Sequence, residues 1–413
     1  MRADSDAICP GAFEKAPGFL MPGGHGISIK MRGKTIKTMI SEERIREVFT
    51  ELAAIDSESF SEKEIGENVA RRLRKLGLDV ITDGSTDPAF LQAHPDSFPN
   101  IFGRLKGNIP EEPVLFTAHL DTVAPGKGKQ TVISEDGVIR SAGDTVLGAD
   151  DLCGITAILE ALTVIRENGL EHPDIEVLIT SAEEPHCEGS SFFNFGLIKA
   201  KNAYVLDLTG TIGTAAIAAP SILSFTVEIL GKAAHAGFAP EEGINALSIA
   251  AETITKIPTG RVDAESTVNI GRIEGGTAIN IVPERIRIAG EVRSLDHAEA
   301  VRRADDILKQ FEENARKAGG IAHCRQIRHF QAYRIDETDP VVKRFEKACT
   351  AEKLESRRIT TLGGSDANRL NAAGIHTIVI ANGMQNVHST SEYTRLSDLK
   401  RCAELTLKLM TIE

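Results

Sequence analysis

The sequence predicts an α/β fold in which a smaller ferredoxin-like unit is inserted into a larger domain with a mostly parallel sheet. Apolar strands and amphipathic helices alternate through about Leu208, as in a parallel sheet that helices cover on both faces. After Pro220 the order changes to strand, helix, two strands, long helix and strand. Because the alternation resumes over residues 339–412, we expect the smaller unit to interrupt the larger one.

The first helices are predicted by their apolar spacing and by the residues at their N-termini. Helical periodicity covers residues 41–55 and 61–78, and each segment begins with a serine that acidic residues follow. A serine side chain can accept a hydrogen bond from a free amide of the first turn, and acids favour the positive end of the helix dipole. Both segments therefore have the pattern of a helix start.

Strands of the larger sheet are predicted where short apolar runs end at polar residues. These runs cover residues 114–118, 175–180, 203–206 and 376–381. The inserted unit is predicted to contain strands at 222–230, 266–273, 286–292 and 321–330, and helices at 243–256 and 296–317. The predicted domains are a loosely ordered N-terminal extension (1–38), a larger domain in two parts (39–218 and 332–413) and the inserted unit (219–331).

The composition indicates two domains and disfavours two classes of partner. The chain has 413 residues, 41% of them hydrophobic, and a net charge of −12. Nucleic acids and anionic membranes attract basic faces, which this charge balance makes scarce. No apolar run reaches the roughly 20 residues of a membrane helix, and Gly and Pro interrupt the apolar patches of the first 38 residues. We therefore expect a cytoplasmic protein that binds neither nucleic acid nor a membrane, with Met1, Met31 and Met39 as alternative translation starts.

Acidic residues and histidines close apolar runs at five places. They are His119-Leu120-Asp121, Asp150-Asp151, Glu183-Glu184, Asp207 and His388. Polar groups at the carboxyl ends of parallel strands lie at one edge of the sheet, where α/β folds bind their ligands. Carboxylates mixed with imidazoles suit Zn²⁺, Co²⁺ or Mn²⁺. Five ligand groups are too many for one tetrahedral zinc with an open position, so a site for two ions that share a carboxylate is favoured.

Two of these motifs have a spacing that suggests separate roles. The i, i+2 spacing of a strand places His119 and Asp121 on one face, so the carboxylate could orient the imidazole. The adjacent Glu183 and Glu184 must point in different directions, which suits one metal ligand and one proton carrier.

Each motif by itself also has a structural interpretation. Asp150-Asp151 could be the N-cap of the helix that follows, and His388 could be a structural or exposed histidine. Glu183-Glu184 could form a solvated turn, although the apolar strand before it favours a cleft.

The six cysteines are predicted to be reduced thiols, because they are scattered without a CxxC pair or a repeated spacing. Cys153 and Cys187 each lie within a few residues of a candidate metal ligand. A small buried hydrophobic residue is the interpretation that we favour for both. No cysteine is therefore assigned a catalytic role.

Together the motifs resemble the M20 family of metallopeptidases, especially its peptidase T-like (tripeptide aminopeptidase) branch. The resemblance covers nearly the whole chain after about residue 40. It implies that the larger domain is a zinc-peptidase catalytic domain and that the inserted unit is a lid and the contact of a homodimer. The segments that carry the resemblance are residues 117–123, 147–151, 181–184, 231–237, 280–284, 290–293 and 387–389.

The resemblance implies two divalent metal ions, with Zn²⁺ first and Co²⁺ or Mn²⁺ as alternatives. Asp121 would orient His119. Glu183 would be the general base that takes a proton from a metal-bridging water and passes it to the leaving amine. The implied ligands are Asp150 as the bridge, His119 and Asp207 for one ion, and Glu184 and His388 for the other.

The resemblance also implies substrate contacts from the lid and from one loop of the catalytic domain. His235 would reach across from the partner subunit and stabilise the oxyanion, while Asn280 and Arg293 would face the substrate. Gly363 and Gly364 would form a backbone-amide loop for the substrate carboxylate.

Two of these lid residues have simpler interpretations as well. His235 could be an exposed loop histidine, although its neighbouring glycines permit close approach of a ligand. Arg293 could only pair with Glu291 or Asp296.

The chain departs from the family pattern near the site without losing a ligand. Leu152 stands where relatives often have a lysine, His186 where they have a glycine, and Leu208-Thr209 where they have two glycines. Within the family, an aspartate at the position of Asp207 is associated with aminopeptidases.

The leading hypothesis is therefore a two-zinc exopeptidase that removes the N-terminal residue from di- or tripeptides. One alternative is an M20-type amidohydrolase that acts on N-acyl amino acids or related small amides. Another is a catalytically silent binding protein of the same fold. The presence of Asp121 and Glu183 argues against the silent protein, since such a relative could lose the base without unfolding.

Overall fold

The computed structural model describes residues 29–31, 34–36 and 40–411. The chain forms two units, Met1–Met39 and Ile40–Glu413. In the first unit, β1 (Ile29–Met31) pairs antiparallel with β2 (Lys34–Ile36). The other residues of the predicted loosely ordered extension (1–38) lie outside the described residues.

The second unit begins with alternating helices and strands, as the sequence predicts. The strands are β3 (Asp79–Ile81), β4 (Ile101–Leu105), β5 (Val114–His119), β6 (Thr131–Ile133), β7 (Val138–Ser141), β8 (Ile175–Thr180), β9 (Asn202–Leu208) and β10 (Thr214–Ala219). The helices are α1 (Glu42–Ala53), α2 (Lys63–Lys75), α3 (Pro88–Ala93), α4 (Ala149–Asn168) and α5 (Glu188–Ser191).

The two N-terminal helices begin in different ways. The side chain of Ser41 accepts a hydrogen bond from the Arg44 amide and so caps α1, as its position predicts. The residue before α2 is Glu62, whose side chain does not cap the helix. Its carboxylate instead accepts hydrogen bonds from the amides of Phe60 and Ala182 at 2.9 and 3.0 Å. The serine at the start of the second helical segment is therefore not its cap.

The inserted region forms its own antiparallel sheet with two helices. The elements are β11 (Ser221–Leu230), α6 (Ala246–Ile254), β12 (Gly260–Arg261), β13 (Ser266–Gly275), β14 (Arg285–Ser294), α7 (His297–Lys317) and β15 (Ile321–Phe330). The strand order is β12-β13-β14-β11-β15. Without the short β12, this is the order of a ferredoxin-like βαββαβ unit. Helices α6 and α7 share a core with the sheet.

The helices of the insertion show how local sequence sets their length. The buried residues of α7 recur every three or four positions from Ala300 to Ala315, as in an amphipathic helix that covers a sheet. α6 is shorter than predicted, because Asn245 caps it by accepting a hydrogen bond from the Ser248 amide. Gly243 therefore lies before the helix.

The chain then returns to the larger domain. The remaining elements are β16 (Tyr333–Arg334), α8 (Pro340–Ala351), β17 (Arg357–Thr360), α9 (Asp366–Ala372), β18 (His376–Ala381), β19 (Tyr393–Arg395) and α10 (Leu396–Thr411). A small antiparallel sheet joins β19, β7 and β6. None of the helices within the described residues combines the length and apolarity that crossing a bilayer requires.

The main sheet has the order β16-β10-β18-β9-β5-β8-β4-β3, with β17 beside β10. Its four central strands, β18, β9, β5 and β8, are parallel, and antiparallel strands flank them on both sides. Every residue of β5 and β8 is buried, as expected for parallel strands covered on both faces. The α/β class is therefore confirmed, and the sheet is mixed with a parallel centre.

The parallel centre of the sheet positions the candidate site. α4 packs against β5 and β9 and, on its outer side, against α1 and α10, which explains why it is buried on nearly every face. β5 ends at His119, β8 ends at Thr180, and Asp207 lies next to the last residue of β9. These strand ends lie at one edge of the sheet, where ligand sites of α/β folds occur.

Candidate active site

A group of five side chains, here called the strand-end cluster, comes together at this edge. Its members are His119, Asp150, Glu184, Asp207 and His388. Nε2 of His119 lies 3.0 Å from Oδ1 of Asp150 and 4.0 Å from Oδ1 of Asp207. Nε2 of His388 lies 3.3 Å from Oδ2 of Asp150 and 2.9 Å from Oε2 of Glu184. Asp150 thus presents one carboxylate oxygen to each imidazole.

Asp151 lies behind the cluster and differs in its hydrogen bonds. Its ligand atoms come within 4.8 Å of those of His119 and Asp207, so it is itself a candidate ligand. However, its carboxylate already accepts hydrogen bonds from the His119 amide, the Gly154 amide and the Asn382 side chain, at 3.2, 3.1 and 2.7 Å. Asp151 therefore braces the strand and the helix start, and Asp150 is the aspartate left to face the imidazoles.

Asp121 contacts His119 and also holds the glutamate pair. Nδ1 of His119 lies 2.9 Å from the backbone oxygen of Asp121 and 3.4 Å from its carboxylate. The carboxylate accepts hydrogen bonds from the amides of Glu183 and Glu184 at 2.8 and 3.2 Å, and from the Ser59 hydroxyl at 2.7 Å. One buried aspartate thus links the strand that ends at His119 to the loop that follows β8.

Glu183 is a buried carboxylic acid beside the cluster. It is 8% exposed. Burial raises the pKa of its carboxyl group well above the ordinary value, and the carboxylates of Asp366, Glu184 and Asp121 add to this, while His119 opposes it. A carboxyl group with a raised pKa is suited to accept and return a proton near neutral pH.

The imidazoles of the cluster are strongly basic because carboxylates surround them. Burial disfavours the charged ring of His119, but hydrogen bonds with Asp121 and Asp150 raise its pKa well above the ordinary value. Hydrogen bonds with Asp150 and Glu184 raise the pKa of His388 to about 10. Burial raises the pKa of Asp207, and the charges of Asp150 and Glu183 raise it further. The cluster therefore places three carboxyl groups beside two imidazoles, and each group shifts the pKa of its neighbours.

The cluster fits divalent cations for two reasons. Its ligand atoms are carboxylate oxygens and imidazole nitrogens, which suit such ions. Oε1 of Glu184 is buried and has no hydrogen-bond partner within the described part of the chain. A buried carboxylate oxygen without a partner is costly, and a bound cation would satisfy it.

Several residues that position the cluster were missed by the sequence analysis. Glu392 is buried and accepts hydrogen bonds from the amides of Leu147, Gly148 and Asp150 at 2.7, 2.8 and 2.9 Å. Asn382 holds Asp151 and directly follows an apolar strand, so the pattern that identified His119 could have found it. Glu392 has no comparable signal, because it lies in the polar segment that precedes β19.

The predicted lid residues His235 and Asn280 lie together on exposed loops. Nδ1 of His235 accepts hydrogen bonds from the amides of Gly237 and Phe238 at 3.1 and 3.2 Å, and its ring stacks on Phe238. The backbone oxygen of Asn280 accepts a hydrogen bond from Ala236. Within residues 40–411, neither His235 nor Asn280 makes a hydrogen bond to the strand-end cluster.

Arg293 joins the inserted unit to the larger domain. Its guanidinium makes two hydrogen bonds to the carboxylate of Glu291, at 2.8 and 3.0 Å, which is one of the pairings that the sequence left open. Its third contact, at 2.9 Å, is a hydrogen bond to the backbone oxygen of Leu362, just before the predicted glycine loop. Arg293 therefore reaches the loop proposed to hold the substrate carboxylate.

The glycine loop itself is partly committed to local contacts. The amide of Gly363 donates to the Thr361 hydroxyl at 2.9 Å, and the Ser365 amide donates to the side chain of Asn368. A Cβ atom at Gly364 would lie 2.5 Å from the ring of Phe330, so packing against the base of the lid requires glycine there. Close packing thus accounts for one of the two glycines.

Comparisons with known proteins identify the family. Residues 217–320 match the family model described as the peptidase dimerisation domain of M20 proteins, and residues 100–252 match that of peptidase family M28. The chain is 37% identical to the uncharacterized protein YqjE of Bacillus subtilis over 372 residues, which cover 90% of this chain and 99% of YqjE.

Two solved structures are similar over almost their whole length. A tripeptidase from Staphylococcus aureus has a TM-score of 0.86 and 32% identity, and the match covers 91% of this chain and 99% of that one. The aminopeptidase PepT from Bacillus cereus has a TM-score of 0.83 and 35% identity, with 90% of this chain and 98% of that one covered. The chain therefore belongs to the M20 family of metallopeptidases, in its peptidase T-like branch, and is a metal-dependent hydrolase.

Proposed function

We propose that this protein is an exopeptidase that uses two metal ions to remove the N-terminal residue from di- and tripeptides. The observation that carries the proposal is the strand-end cluster of two imidazoles and three carboxylates beside the buried acid Glu183. The similarity to proteins named as a tripeptidase and as an aminopeptidase supports short peptides as the substrate class.

The five residues of the cluster are the proposed metal ligands. Asp150 is the proposed bridge because its two oxygens face different imidazoles. Zn²⁺ is the first candidate, with Co²⁺ or Mn²⁺ as alternatives. Divalent ions bound there would polarise the scissile carbonyl and lower the pKa of the attacking water. In the proposal His119 and Asp207 serve one ion, and Glu184 and His388 serve the other.

Glu183 and Asp121 are the proposed catalytic pair. Glu183 takes the proton of the attacking water and gives it to the leaving amine, a role that its raised pKa favours. Asp121 holds the amide of Glu183 at 2.8 Å and so keeps the base beside the cluster. The same aspartate contacts His119, so it positions a ligand and the base together.

The proposed domain boundaries are 219–331 for the lid and 39–218 and 332–413 for the catalytic domain.

The lid is also the proposed dimer contact. Phe238 and Ile279 are 87% and 104% exposed beside His235, which leaves apolar surface for a second copy to cover. We propose that His235 reaches the partner's site and stabilises the oxyanion, while Asn280, Arg293, Gly363 and Gly364 bind the substrate. A cytoplasmic location is part of the same proposal.

A hydrolysis panel tests this function. Free di- and tripeptides are incubated with the metal-supplemented protein beside matching N-acetyl amino acids, and the released residue is identified. We expect release of the N-terminal residue from free peptides only. Cleavage of the acylated compounds alone would make the protein an amidohydrolase, and no cleavage of either class would contradict the proposal.

A variant of Glu183 tests the mechanism in the same assay. Because Glu183 is proposed to move a proton and not to bind metal, Glu183→Ala should lower kcat by about 10²- to 10⁴-fold while bound metal is retained. Glu188→Ala is the matched control, since this nearby glutamate pairs with His94 outside the cluster and should leave kcat unchanged. Near-normal turnover by Glu183→Ala would refute the assignment of the base.

A further inference from the structure

The thiol of Cys187 lies against the carboxylate of Glu183. Sγ of Cys187 donates a hydrogen bond to Oε1 of Glu183 at 3.2 Å. Cys187 is 0% exposed and Glu183 is 8% exposed. Within residues 40–411 no other group donates a hydrogen bond to this carboxylate. Within these residues the thiol is therefore the one hydrogen-bond donor that holds an oxygen of this acid.

The backbone brings the two side chains together through a tight turn. The amide of Cys187 donates to the backbone oxygen of Glu183, four residues earlier, and the Glu188 amide donates to the oxygen of Ala182. Cys187 has a φ of +53°, in the left-handed region that few side chains adopt. Such a costly conformation persists only where surrounding contacts maintain it.

The side chain of Cys187 is enclosed by apolar neighbours. Cys187 forms a small buried cluster with Ile222 and Phe330, the residues at the two ends where lid strands join the catalytic domain. Burial raises the pKa of the thiol well above its ordinary value, so the sulfur keeps the proton that it donates. The contact is therefore a neutral thiol hydrogen bond in a closed environment.

We propose that Cys187 is a positioning residue for the general base: its thiol holds Oε1 of Glu183, so that Oε2 faces the attacking water. The inference rests on the proposed role of Glu183. A thiol donates weakly and has the size of a small hydrophobic residue, so it can orient the acid while filling the space beside the lid. In this arrangement the thiol holds Oε1, and Oε2 is available to accept the proton of the water.

Two substitutions of similar size test the hydrogen bond. Cys187→Ala removes the donor and Cys187→Ser keeps one, while neither places a β-branched side chain at the positive φ of this residue. We expect kcat to fall on the order of 10-fold in the Ala variant, because a misplaced base transfers the proton less often. KM and bound metal should stay unchanged. The Ser variant should recover kcat to within about threefold of the unmodified protein.

Matched controls use Cys349, a second fully buried cysteine in α8, away from Glu183. Cys349→Ala and Cys349→Ser should leave kcat unchanged, and thermal unfolding of all variants shows whether each one is folded. Wild-type kcat in folded Cys187→Ala would overturn the inference, as would equal losses in the Cys187→Ala and Cys187→Ser variants. Glu183→Ala, assayed alongside, separates the two failures, because near-normal turnover by that variant would refute the proposed role of Glu183 as the base.

Discussion

The catalytic domain and the inserted unit each present a histidine to the proposed site, His119 and His235, and they orient its ring in different ways. His119 is 2% exposed, and its two ring nitrogens lie 3.0 Å from Asp150 and 2.9 Å from the backbone of Asp121. His235 is exposed, and its ring accepts hydrogen bonds from two amides of its own loop. The first ring is oriented by another segment of the chain and its own strand end, whereas the second is oriented only locally.

The difference in these contacts separates the part of the proposed site that one chain orients by itself from the part that it leaves exposed. The strand-end cluster is held by other segments of its own chain, since Asp121, Asp151 and Glu392 accept hydrogen bonds from the amides of Glu184, His119 and Asp150. The loops around His235 instead expose the side chains of Phe238 and Ile279. We therefore expect damage to the cluster to release metal, and damage to the lid loops to lower turnover while metal stays bound.

The largest effect should come from the residue that contacts both imidazoles. Asp150→Ala removes the carboxylate that faces His119 and His388, so we expect activity to fall by more than about 10³-fold together with loss of bound metal. Metal content and kcat/KM are measured on the same preparation, with chelator-treated wild-type protein as the reference. Full metal content in an active Asp150→Ala protein would contradict the assignment of Asp150.

A smaller effect is expected from the lid. His235→Ala should lower kcat by about 10²-fold, the usual loss when one oxyanion donor is removed, with bound metal unchanged. The control is His323→Ala, since His323 is also an exposed histidine of the inserted domain and should not change kcat. Unchanged kcat in His235→Ala would contradict the proposed role of this residue. Metal loss in that variant would contradict the expectation that changes in the inserted unit leave the metal bound.

The bracing of the cluster can be tested at Glu392. Glu392→Ala leaves three buried amides without their acceptor, so we expect a loss of about 1 to 3 kcal/mol in unfolding free energy. Metal affinity should fall by about 10- to 100-fold, as for other residues that orient ligands. Glu392→Gln keeps one acceptor oxygen, so both its unfolding free energy and its metal affinity should lie between those of the wild type and of Glu392→Ala. Denaturant unfolding and metal titration measure both effects, and wild-type metal affinity in the alanine variant would count against this role.

The smallest expected effect concerns the junction of the two regions, where the rings of His186 and His329 stack at 4.0 Å. Burial lowers the pKa of His329 to about 4, and His186 and Arg369 act in the same direction, while Glu291 opposes them. As the pH falls from about 6.5 to 4, the unfolded chain binds this proton before the folded chain does, so stability is lost in that window. His329 is partly exposed, so screening should keep the effect below about 1.4 kcal/mol per pH unit.

The substitution His329→Phe isolates this effect. It keeps a ring for stacking on His186 but removes the titrating group. In metal-free protein, unfolding free energies between pH 6.5 and 4 should therefore decrease less in His329→Phe than in the wild type. Parallel pH profiles for the two proteins would show that His329 does not contribute.

Much of the fold followed from local patterns, with differences at particular elements. The βαββαβ order of the insertion was predicted from hydrophobic periodicity, and α7 lies almost where its apolar spacing placed it. α6 was predicted too long because the cap at Asn245 was not recognised. The antiparallel flanks of the main sheet were not predicted, since strand direction depends on how the connections run and not on the residues of a strand.

The sequence by itself determined the order of the elements and the candidate ligands at the strand ends, because hydrophobic periodicity and metal-ligand chemistry are properties of short segments. The family resemblance pointed to Asp150 as a ligand, and the tertiary structure showed that Asp150 faces the imidazoles while Asp151 accepts a hydrogen bond from the His119 amide. The tertiary structure alone joined Asp121 to the amide of Glu183, 62 residues away, and Glu392 to the amide of Asp150, 242 residues away. Such contacts depend on how distant segments pack, and so they cannot be predicted from the residues that lie nearby in the chain.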